Sequence, residues 1–135
     1  SPEIYDNSPK AWFRTMTNYD LALVHFVFKA ASELAFELKL SDEAKHWEYL
    51  ETQLPDFDKD DSGALTFAKG FPYNESHRHF SHAMAIHPLG LIDYSQGDDA
   101  RKTIQATIAK LKEMGPDYLV RIFLQLVCKY MCACF

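Results

Sequence analysis

Residues 73–90 read YNESHRHFSHAMAIHPLG and hold four of the chain's six histidines, His77, His79, His82 and His87. Imidazole is the commonest side-chain ligand of transition metals, and with guanidinium it also offers hydrogen-bond donors in fixed directions. The cluster could therefore serve a metal, a hydroxyl-rich ligand such as a sugar, or packing. Metal fits worst: His79 and His82 would share a face of a short helix, but Arg78 separates two of the candidates and no cysteine is near. The paired spacing of a structural zinc site is also missing. No metal and no cofactor are expected.

Other candidate chemistry is weaker still. DKDDSGALTFAK at 58–69 imitates a calcium loop, with Asp58, Asp60 and Ser62 at positions one, three and five and Gly63 at six. Lys69 fills position twelve, where calcium needs a bidentate glutamate, so the stretch reads as an acidic turn. Ser81 stands beside His82 but lacks the G-x-S-x-G elbow of a serine nucleophile. Cys128, Cys132 and Cys134 lie in an apolar run without a local histidine, at an odd count and short spacing that fit neither a disulfide framework nor a zinc set. Among the acids, Glu3 sits in SPEIYDNSP ahead of Trp12, Phe13 and Tyr19. A carboxyl group among aromatic rings can be desolvated into a proton donor near neutral pH, and such rings stack on sugar faces. On spacing alone, a frayed N-terminal acid is the stronger reading.

These residues need elements to hold them. TNYD at 17–20 offers an N-cap followed by an acid, and apolar residues recur at Leu21, Val24, Phe28, Ala31, Ala35 and Leu38, which predicts a helix of about twenty residues. Ser41, with Asp42 and Glu43 behind it, starts a second helix carrying Trp47 and Leu50 and stopping before Pro55. Residues 54–76 are rich in Asp, Gly and Pro and read as a long ordered loop of the functional kind. Residues 79–87 read as a short helix ended by Pro88, and residues 97–114 as a helix with Ile104, Ile108 and Leu111 inward. No strand is expected. The fold class is all-α, built of helical hairpins that suit either a bundle or a slice of an (α/α) barrel.

The whole chain sets outer limits. Its 135 residues make at most one domain, with 47% hydrophobic and 24% charged residues and a formal charge of -5. Without a basic stripe it lacks the footprint of phosphate-backbone binding, so nucleic acid is not an expected partner. No apolar run of spanning length predicts a membrane partner, and no basic segment leading into an apolar one predicts an export signal.

Three stretches together, SPEIYDNSPKAWFRTMTNYDLALV, GFPYNESHRHFSHAMAIHPLGLID and TIAKLKEMGPDY, resemble the catalytic domain of glycoside hydrolase family 95, the inverting α-L-fucosidases. His77, Arg78, His79, Ser81 and His82 form the most specific element, and the resemblance runs from Ser1 to about Tyr118. It implies a slice, residues 1–118, of an (α/α)6 barrel several times larger, from a bacterial parent that is secreted or periplasmic. It implies Glu3 as general acid and His77, Arg78, His79 and His82 as contacts to fucose hydroxyls or as supports of such contacts, with His82 or His87 partly structural. The substrate it implies is terminal, α-1,2-linked fucose in glycans.

Inversion takes two carboxyl groups roughly 6.5–9.5 Å apart, one acid and one base. The family's base lies in a more C-terminal segment that this chain lacks, and Asp93 and Asp117 do not match its position. The chain is therefore expected to be inactive alone, its partner being the remainder of the parent domain. The alternative is a non-catalytic helical module that binds carbohydrate or another protein.

After Tyr118 the resemblance stops, and residues 119–135 become LVRIFLQLVCKYMCACF, apolar on every side. A suitable choice of synonymous codons for these residues, read one base later, gives WSGYSFSWFANICARA, which fits the family's usual W-x-GYSFSW-x-AN-x-x-ARA. The expectation is a one-base frameshift at about codon 119. An unselected tail of this composition is expected to be sticky or aggregation-prone.

Overall fold

A computed structural model describes residues 13–74 and 79–114. Among them are three α-helices, α1 (Asn18–Glu37), α2 (Ser41–Thr52) and α3 (Asp98–Met114), with short 3-10 turns at Ser81–Ala83 and Tyr94–Gln96. The all-α class holds: pairing between extended segments among the described residues is limited to two isolated bridges, Lys59 with Leu65 and Ala68 with Phe71.

The 17–20 cap forms as its residue types predict. Thr17 Oγ1 accepts the Asp20 amide at 3.1 Å and donates to Asp20 Oδ2 at 2.6 Å, so one orphan donor of the first turn is satisfied and a carboxylate sits at the positive end of the helix. At the other end Lys39 adopts φ 61, and the Leu40 and Lys39 amides bond back to the Ala35 and Phe36 carbonyls, both at 2.9 Å. That is a Schellman closure with a lysine in the left-handed position usually given to glycine.

The closure turns the chain back on itself. Ser32 Oγ donates to the Ala44 carbonyl at 3.1 Å, Phe28 meets Trp47 with ring centroids 5.6 Å apart, and His25 Nδ1 lies 3.5 Å from Glu51 Oε1. Partners descend on α1 as they ascend on α2, so the pair is an antiparallel hairpin. Ser41 is the first helical residue and not the cap; Leu40 takes the cap position without a side-chain bond.

Between this hairpin and α3 lies the middle of the chain. Ala64, Leu65, Thr66, Phe67 and Ala68 are all buried, as is Tyr73. Leu65 joins Ala22 of α1, Ala85, Ile86, Ile92 and Ile104 of α3 in one cluster. Phe67 and Tyr73 join Ala83 and Leu111 in another, with Phe13, Phe80, Ile108 and Met114 against it. Within the stretch read as a long ordered loop, residues 64–68 are thus the central layer of the described residues. This layer tolerates burial because backbone groups of Leu65, Thr66 and Phe67 are met by Asn18 on one side and Thr107 on the other.

The helix expected at 79–87 does not form. Ala83 and Met84 close a 3-10 turn on the Phe80 and Ser81 carbonyls, and the chain continues as turns to residue 89. Two features end it: Pro88 has no amide to donate, and the Ala85 carbonyl accepts the amides of both Leu91 and Ile92, at 2.8 and 2.9 Å. Residues 119–135 lie outside the described residues.

Candidate functional site

His82 follows from this geometry. Its ring stacks on Tyr73 with centroids 4.4 Å apart and planes 22° apart, while Phe67 meets it edge-on at 5.1 Å and 72°. His82 is 1% exposed and both ring nitrogens are shut off from solvent. The imidazole is a member of an aromatic cluster, and its faces are used for packing. His79 is exposed and His87 half-buried. The face that His79 and His82 would share on a helix therefore does not exist, because the 3-10 turn sends one side chain outward and the other into the core.

Ser81 is buried beside it, and its Oγ makes no hydrogen bond among the described residues. A serine nucleophile needs a bond to its base. That pairing with His82 is absent. Glu3, His77 and Arg78 lie outside the described residues, as do Trp12, Asp117 and the three cysteines.

Two side chains hold the layer beneath the histidine stretch in place. Asn18, buried at the start of α1, donates through Nδ2 to the carbonyls of Asp58 at 2.7 Å and Thr66 at 2.8 Å. Its Oδ1 accepts the Asp58 amide at 2.9 Å, and its own amide donates to the Phe67 carbonyl at 2.9 Å. Opposite it, Thr107 Oγ1 of α3 accepts the Leu65 amide at 3.0 Å and donates to the Thr103 carbonyl at 2.8 Å. Sequence reasoning missed both, since the apolar periods along α1 and α3 carry no sign of polar residues that clamp a distant loop.

The acidic turn also resolves. Asp60 Oδ1 accepts the amides of Ser62 at 2.9 Å and Ala64 at 3.1 Å and the Ser62 hydroxyl. Partial burial raises the Asp60 pKa, but the Ser62 hydroxyl, the two amides and the charge of Lys110 outweigh it and hold the carboxyl below its usual range. Asp60 Oδ1, an oxygen that a calcium loop would aim at an ion, is occupied by the turn's own donors. Asp93 plays a similar part at 94–96, where the Ser95 hydroxyl and amide, both at 2.6 Å, lower its pKa while burial opposes them weakly. Its carboxylate caps a turn. Among the described residues, no three His, Cys, Asp or Glu side chains gather in a way that could hold a metal ion.

Around the histidine stretch, the described surface is aromatic. Phe13 meets Phe71 edge to face at 4.8 Å, and Phe71 is 42% exposed. Phe13 packs on the cluster that contains Tyr73. The strand of chain that leads to Glu3 and the one that leads to His77 and Arg78 therefore leave from one aromatic patch. Comparison with protein-family models, with curated proteins and with solved structures finds no match.

Proposed function

We propose that the chain is part of the catalytic domain of an inverting α-L-fucosidase of the glycoside hydrolase family 95 type, a slice of its (α/α)6 barrel, acting on terminal fucose. The observation that carries this reading is the common departure point of the two motif-bearing segments, at Phe13 and Tyr73 of one cluster. In it Glu3 is the general acid, and His77, Arg78 and His79 meet the sugar hydroxyls. His82 acts one step back: stacked on Tyr73, it fixes where the backbone turns after the motif's outer members.

The reaction needs a second carboxylate to direct water to the opposite face of the sugar, and that group belongs to a C-terminal region beyond this chain. The test is to express the gene extended past codon 119 in the shifted frame and to follow release of fucose from an α-1,2-fucosylated oligosaccharide by proton NMR. Appearance of the β-anomer first, and its loss in Glu3→Gln, supports the reading; no release from the extended protein removes it. The 135-residue chain alone is expected to release none. The large apolar residues exposed on α1 favour a second reading, a helical interaction module. Fucose binding without turnover by the extended protein would select it.

A further inference from the structure

We draw no further inference here: the strongest candidate, the exposed apolar outer face of α1 at Phe26, Val27 and Leu34, carries nothing because nothing among the described residues shows what covers it.

Discussion

Asn18 uses both ends of its side-chain amide on backbone groups 40 and 48 residues away. Asn18→Leu keeps the size but takes the side-chain partner from the Thr66 carbonyl and the Asp58 amide, and leaves the Asp58 carbonyl only its weaker bonds from Thr66, at a cost of about 3 kcal/mol by urea denaturation. Asn18→Asp tests the geometry more finely, because it keeps the acceptor for Asp58 and turns a second oxygen toward two carbonyls. It should destabilise nearly as much despite its matching shape. His82→Ala removes a stacked ring from a packed cluster and should cost roughly 2–4 kcal/mol. Should His82→Ala instead unfold at the unaltered chain's midpoint, the ring would not be the packing element described. Asp60 and Asp93 have lowered pKa values, so their contribution to stability is present above the ordinary 3.8 and is lost as pH falls through the lower folded values. The melting temperature should fall below about pH 4, less steeply in Asp60→Asn, whose starting stability is lower.

At the scale of elements, the hairpin turn is the place to gain stability. Lys39 holds a left-handed conformation that costs a non-glycine residue roughly 1 kcal/mol, so Lys39→Gly should raise the unfolding free energy by up to about that amount and shift the midpoint upward. A lower midpoint would mean that the lysine side chain matters more than its backbone. The helices themselves were legible: the cap at Thr17, the acidic start of α2 and the apolar period of α3 follow from local chemistry. Leu38, the last residue of the apolar series, falls in the closing turn where the helical period ends, and it is 70% exposed. The burial of residues 64–68 was not legible, because Asp, Gly and Pro mark turns without telling whether a turn lies outside or inside. Nor was the outward His79 beside the inward His82, a split that depends on a 3-10 turn of three residues. The sugar motif itself stays a matter of residue pattern, with Glu3, His77 and Arg78 beyond the described residues.

For the whole molecule, a clamp from each side of a non-repetitive layer has a kinetic consequence. Helical proteins are usually quick to fold because their contacts are local, but here the layer is held by bonds that join residue 18 to 58 and 66, and residue 65 to 107. A chain emerging from the ribosome can form α1 and α2 at once and must then wait until Thr107 is available before the Leu65 amide has its partner. The amides of the central layer, and not those of the helix ends, should accordingly be the last to exchange with heavy water in the native state. In this helical protein the part expected to open last is the part that is not helix.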